Sequence, residues 1–183
     1  MDDKIRCFIA LTFPDEVIKE IARVQELVGN KKFDGKLTEL ENLHLTLKFL
    51  GEIDEGKLEE VKKRLKKIKF SEMSSSLGRM GLFSYRKNPR IVWVKINGKD
   101  IIELQKKIDE GLKELFEIEE RFMSHLTIAR VKFVKDKIGF NDHINGIGVK
   151  NIRFNVDNFK LIKSELRPQG PVYEVIEEFK ADN

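Results

Sequence analysis

Two copies of one short pattern hold most of the chemistry this chain can offer. They are His44-Leu45-Thr46-Leu47 and, 81 residues further on, His125-Leu126-Thr127-Ile128. The chain has three histidines, at 44, 125 and 143, and four threonines, at 12, 38, 46 and 127. Two of its three imidazoles therefore stand two residues ahead of a hydroxyl. In a β-strand, residues i and i+2 point to the same face, so each copy presents a ring and a hydroxyl together while its aliphatic residues face the core. Two such strands set opposite each other would line a cleft with two acid–base groups and two hydroxyl donors. Histidine titrates near 6.5 when unperturbed, so one ring can be neutral while the other is protonated. That pairing suits displacement at phosphorus: one imidazole takes a proton from water, and the other gives one to the leaving oxygen. The threonine hydroxyls would hold the nonbridging oxygens, where charge builds up in the transition state. A 2′,3′-cyclic phosphate suits such a site, because ring strain already lowers its barrier.

A single His-x-Thr carries no signal; its repetition in a chain poor in both residue types does. His143 lies in the polar run Asn141-Asp142-His143-Ile144-Asn145 and reads as a surface residue. No carboxylate or further histidine stands at ligand spacing from either motif, so neither a metal nor another cofactor is expected. The chain also lacks a Gly-x-x-x-x-Gly-Lys loop, which argues against ATP-driven ligation. The rival reading is a non-catalytic module that clamps an RNA end or a nucleotide phosphate. Against it, arginine or lysine would serve a clamp as well as histidine.

The elements that must position these strands follow from periodicity. Residues 4–13 read as a buried strand, with Cys7 alternating with Ile5, Ile9 and Leu11 as a small hydrophobe. Pro14-Asp15-Glu16 starts a helix over 15–28 with Val17, Ile21, Val24 and Val28 inward, and Gly29-Asn30 stops it. A short strand is expected at 37–40, then the first His strand at 43–50, closed by Gly51. A lysine-rich helix follows at 55–68, with Leu58, Val61, Leu65 and Ile68 inward. Strands are expected at 73–83 and 91–96, separated by a loop over 84–89. Asp100 and Glu103 make a capping-box-like start to a helix at 100–116. The second His strand spans 124–132 and a weak helix 134–142. Strands at 148–156, 159–165 and 172–179 close the chain, the last two parted by the turn Arg167-Pro168-Gln169-Gly170-Pro171. This order implies an α+β fold with largely antiparallel pairing. Each His strand has a long helix ahead of it, which points to an internal pseudo-repeat. No Pro-, Gly- or Ser-rich linker divides the chain, so residues 1–183 are expected to form a single domain of two fused lobes.

At 183 residues with 40% hydrophobic content, the chain can bury a substantial core. Its charged fraction of 36% exceeds the roughly 25% usual for globular proteins, largely as Lys and Glu on solvated helix faces. A net charge of +4 suits an RNA end or a nucleotide phosphate, but the excess is too small for a duplex-coating protein. The lone Cys7 excludes a disulfide framework or a thiolate metal cluster. No secretory signal is seen, and no apolar run approaches the roughly 18 residues of a membrane span. A soluble, cytoplasmic protein is expected, monomeric and without an evident protein partner.

The motifs and their surroundings resemble the 2H phosphoesterase superfamily and, within it, the RNA 2′,3′-cyclic phosphodiesterases, also called 2′-5′ RNA ligases. The matching pieces run nearly end to end: Arg6-Cys7-Phe8-Ile9-Ala10, Glu41 through Gly51, Pro89 through Val94, His125 through Lys132, and Gly170-Pro171-Val172-Tyr173. The resemblance implies a bilobal fold of two antiparallel-sheet lobes with packed helices, related by a pseudo-twofold axis around a central cleft. It implies hydrolysis of RNA 2′,3′-cyclic phosphates to 2′-phosphates, with reversible 2′-5′ joining of RNA ends as a companion activity and tRNA fragments as one candidate substrate. Carried over by motif, His44 becomes the proton donor to the leaving 3′ oxygen and His125 the acceptor that activates water. Thr46 and Thr127 become phosphate binders. Two further residues are candidate phosphate or RNA contacts. Lys48 is in phase with His44 and Thr46, whereas Arg130 is out of phase with its motif and needs a bulge or a strand end to reach the cleft.

Overall fold

The computed structural model describes residues 4–182. Nine strands and four helices alternate along these residues. Strand β1 (Ile5–Leu11) leads through α1 (Asp15–Gly29), β2 (Asp34–Leu37) and a 3-10 turn at Leu40–Asn42 to β3 (Leu45–Ile53), which carries the first motif. Then come α2 (Glu55–Leu65), β4 (Met73–Tyr85), β5 (Asn88–Asn97), α3 (Lys99–Leu112) and β6 (His125–Phe133) with the second motif. Helix α4 (Lys137–Gly146) and strands β7 (Arg153–Val156), β8 (Asn158–Arg167) and β9 (Gly170–Lys180) complete the chain. No helix among the described residues is long and apolar enough to cross a membrane.

All strand pairs are antiparallel, in one sheet ordered β3-β1-β8-β9 and a second ordered β2-β6-β5-β4-β7. Overlaying β3 on β6 places β1 on β5, β8 on β4 and β9 on β7, so the two sheets repeat one order and β2 is the single extra strand. The sheets do not follow the two halves of the chain. β2 crosses early into the second sheet, and β8 and β9 return late to the first.

The helices repeat as closely as the strands. In α1 the buried positions are Val17, Glu20, Ile21, Val24, Gln25 and Val28; in α3 they are Ile101, Leu104, Gln105, Ile108, Asp109 and Leu112, each 84 residues on. This is one i, i+3, i+4, i+7 stripe used twice. Each helix packs behind the other half's motif strand, α1 on β6 and α3 on β3. The shared core therefore runs through both sheets as one cluster.

Several boundaries differ from expectation for local reasons. The strand expected at 37–40 is β2 at 34–37, and residues 40–42 tighten into the 3-10 turn. Residues 84–89 form no open loop: β4 and β5 join through Arg86 and Lys87, both at positive φ (48° and 63°), as in the two-residue turns that match strand twist. Gly51 does not close β3 but sits within it at φ +71°, beside a register shift. The capping box of Asp100 and Glu103 is not formed, since α3 begins one residue earlier after Gly98. Asp136 moves α4 later by accepting the Gly139 amide at 2.9 Å as its N-cap.

Candidate active site

The first motif lies in β3 and the second in β6, and these strands face each other across the junction of the two sheets. Their local geometry is the same. His44 Nδ1 lies 2.7 Å from the carbonyl oxygen of Asn42, and His125 Nδ1 lies 2.7 Å from that of Met123. A carbonyl can only accept, so Nδ1 carries the proton in both rings and Nε2 is the nitrogen left for substrate. Thr46 and Thr127 are half-buried on the same face as their histidines, the aliphatic partners Leu45, Leu47, Leu126 and Ile128 being fully inside.

The fourth residue of each motif is a bulge. Opposite β1, the pairing steps from Ala10 with Thr46 to Ile9 with Lys48, leaving Leu47 over. Opposite β5, it steps from Trp93 with Thr127 to Val92 with Ala129, leaving Ile128 over. A bulge shifts strand phase by one residue. Beyond it, the residue facing the cleft is Phe49 in β3 and Arg130 in β6, while Lys48 and Ala129 turn inward.

This corrects the expectation for Lys48, which is only 6% exposed and does not line the cleft. Its ammonium pairs with Asp109 of α3 and donates to the Glu117 carbonyl at 2.7 Å. The equivalent position to Asp109 in α1 is Gln25, whose amide donates to the Ile128 carbonyl at 2.9 Å and the Thr38 carbonyl at 2.7 Å. Each motif bulge is thus held from behind by a buried polar side chain of the other half's helix. Arg130, by contrast, gains the bulge it needs and is exposed. Gly35 lets β2 close on it, because a Cβ there would lie 2.2 Å from the Arg130 carbonyl oxygen. His143 is not a plain surface residue: its Nε2 donates to the Leu27 carbonyl at 2.8 Å, tying α4 to α1.

Around this common geometry the two sides differ. His44 sits among aromatic rings, 4.8 Å from Phe8 and 5.3 Å edge-on from Tyr173. Phe49, 68% exposed, continues that wall beside Phe8. His125 meets Phe83 edge-on at 5.0 Å and is paired across the strands with Lys95. Burial is the main cause that lowers both imidazole pKa values below the ordinary range, only partly offset by the carbonyl bonds at Nδ1. Arg130 lowers both further; His125 adds to this at His44, and Lys95 at His125. Arg130 thus disfavours the charged form of both rings, and the strands that carry the two motifs, β3 and β6, are in contact. Phe49, Tyr173 and Phe83 are site residues that sequence reasoning missed, Phe49 because the bulge was invisible. Among the described residues, no three His, Cys, Asp or Glu side chains stand together as a metal-binding group.

The electrostatics give a direct test. Replacing Arg130 by glutamine removes a positive charge that disfavours both imidazolium forms, so both rings should titrate at higher pH. Following the His44 and His125 ring protons by NMR through a pH titration checks this. Unmoved midpoints would place Arg130 away from both rings.

Two sheets of matching order, each giving a His-x-Thr strand to a shared cleft, define a phosphoesterase of the 2H superfamily. The LigT-like phosphoesterase model matches the chain twice, over residues 11–93 and 94–173, one motif in each. The chain belongs to this family. It is 38% identical to the RNA 2′,3′-cyclic phosphodiesterase of Methanocaldococcus jannaschii, over 96% of this chain and 100% of that one. To the Thermotoga maritima protein of the same name it is 36% identical, over 95% and 94%. A solved structure from Thermus thermophilus covers 96% of this chain and 97% of its own at 27% identity, with a TM-score of 0.81. Escherichia coli LigT, solved with 3′-AMP, shares the fold at 19% identity and a TM-score of 0.73, over 98% and 99%.

Proposed function

We propose that this protein hydrolyses RNA ends bearing a 2′,3′-cyclic phosphate to 2′-phosphates by acid–base catalysis between two histidines. The observation that carries the proposal is the duplicated imidazole geometry: two rings in one site, each with Nδ1 occupied by a carbonyl and Nε2 free. His125 Nε2 accepts a proton from water as its oxygen attacks phosphorus. The bond from phosphorus to the 3′ oxygen breaks, and His44 Nε2 protonates that oxygen, leaving a 3′-hydroxyl and a 2′-phosphate. Thr46, Thr127 and Arg130 bind the nonbridging oxygens, and the aromatic wall of Phe8, Phe49 and Tyr173 offers faces for a base. A substrate phosphate anion favours the imidazolium form, which opposes the burial that lowers both imidazole pKa values.

Each proton transfer is supplied by an imidazole, so the mechanism calls for no metal. The two-histidine route would also permit ligation without a nucleotide cofactor. A 5′-hydroxyl of a second RNA, taking the place of water, would leave a 2′-5′ linkage by the same bond changes. The relatives named RNA 2′,3′-cyclic phosphodiesterase support the substrate class.

The experiment is turnover of a short RNA ending in 2′,3′-cyclic phosphate, in EDTA, from pH 5 to 9, with the product isomer identified. A bell-shaped profile giving the 2′-phosphate is expected. Activity that returns only on adding metal would replace this mechanism with a metal-assisted one. Tight RNA binding without turnover would leave a clamp.

A further inference from the structure

The first motif carries a polar clamp that its twin lacks. Asn42 links the ring to the hairpin. Its carbonyl accepts the His44 Nδ1–H, while its side-chain Nδ2 donates to the Pro171 carbonyl at 3.1 Å. Pro171 lies at the tip of the β8–β9 hairpin, far away in sequence. That tip is tied a second time, by Lys36 Nζ donating to the Gln169 carbonyl, and Lys36 also pairs with Glu39. The backbone conformation at the tip favours glycine. Gly170 has φ +143°, and a Cβ there would stand 3.0 Å from Lys36 Nζ. Just past Pro171, the same strand sets Tyr173 edge-on to the His44 ring. At the second motif the equivalent of Asn42 is Met123, which offers its carbonyl to His125 but has no side-chain amide to anchor it.

We propose that Asn42 is a positioning residue for His44, and that the β8–β9 hairpin tip acts through it to fix the imidazole for proton transfer. A carbonyl can orient a ring only if its own peptide plane is held. The Asn42 peptide ends a short 3-10 turn, whose bonds from Asn42 N to the Glu39 carbonyl (2.9 Å) and from Leu43 N to the Leu40 carbonyl (3.3 Å) are its local support. The bond to Pro171 supplies a tertiary anchor. Released from it, the carbonyl can swing and the ring is free to turn or exchange tautomers. The kinetic consequence rests on the acid–base reading above; the tautomer does not.

The test compares Asn42→Ala with Gly170→Ala, which strains the hairpin tip one residue before Pro171 and crowds its Lys36 tie. In both, kcat should fall, about 10- to 100-fold in Asn42→Ala, with KM changed by no more than about 2-fold, as expected for a misplaced proton donor. Nitrogen-15 NMR of the imidazoles should show mixed tautomers at His44 while His125 keeps its proton on Nδ1. An unchanged His44 spectrum with unchanged kcat overturns the proposal. So does an equal disturbance of both rings, which would mark a general loosening. If Asn42→Ala does not fold, Gly170→Ala decides alone. Should a folded His44→Ala protein turn over at the wild-type rate, the acid–base reading fails, and the tautomer comparison still decides the clamp.

Discussion

Removing either imidazole should lower kcat by a factor of about 10² to 10⁴, the usual weight of a positioned acid or base. His44→Ala and His125→Ala are both expected to fold, because each ring is half-buried at a cleft rather than locked in the core. The double variant should lose little beyond the worse single one, since donor and acceptor act in one step. The pH profiles of the residual activity carry more information than its size. The acceptor must be neutral, so its titration makes the acidic limb, along which activity rises with pH. Burial lowers both pKa values, so this limb in kcat/KM should lie below the ordinary value of about 6.5. His125→Ala should abolish the acidic limb and His44→Ala the basic one. The opposite pattern would exchange the two roles, and full activity in either folded variant would end the two-histidine reading.

The paired motif was legible because its information is local: two strands, alternating faces, and residue types too scarce to repeat by chance. The helices were legible in the same way, through the stripe of Val17, Ile21, Val24 and Val28 and its counterpart in α3. The polar members of those stripes were not. Glu20, Gln25 and Asp109 are buried with partners elsewhere in the fold: Glu20 meets the Lys150 amide, Gln25 meets Ile128, and Asp109 meets Lys48. No spacing rule anticipates a partner so distant along the chain. The motif bulges were equally silent, since neither Leu47 nor Ile128 is a glycine or proline that would mark them. Strict alternation therefore put Lys48 in phase with the cleft and Arg130 out of phase unless a bulge or strand end intervened, and one extra residue in each strand turns Lys48 inward and Arg130 outward. Sheet membership had the same limit. Nothing near β2 shows that it leaves β3 to pair with β6.

The fate of Lys48 gives the largest expected effect on stability. The pair with Asp109 is almost fully enclosed, with side chains 5% and 4% exposed. Asp109 has two further donors: besides Lys48, it accepts from Gln105 Nε2 at 2.6 Å and from the Glu119 amide at 3.0 Å. It thereby holds β3, α3 and the segment leading to β6 at one point. Asp109→Leu would strand an ammonium in the core, at a cost of about 3–5 kcal/mol. For a chain of this size, roughly 2–4 °C per kcal/mol, that means a Tm lower by about 6–20 °C. Adding Lys48→Met removes the stranded charge, and the double variant should recover most of the loss, because apolar replacements of buried ion pairs are often neutral or better. Thermal melts of the two singles and the double measure the cycle. Turnover of the double variant separates the two accounts of Lys48. If the lysine only braces the strand behind the motif bulge, a stable double variant keeps kcat/KM within a few-fold of wild type. A well-folded double variant that had lost activity would mean that the ammonium reaches substrate after all, by leaving Asp109 when RNA binds.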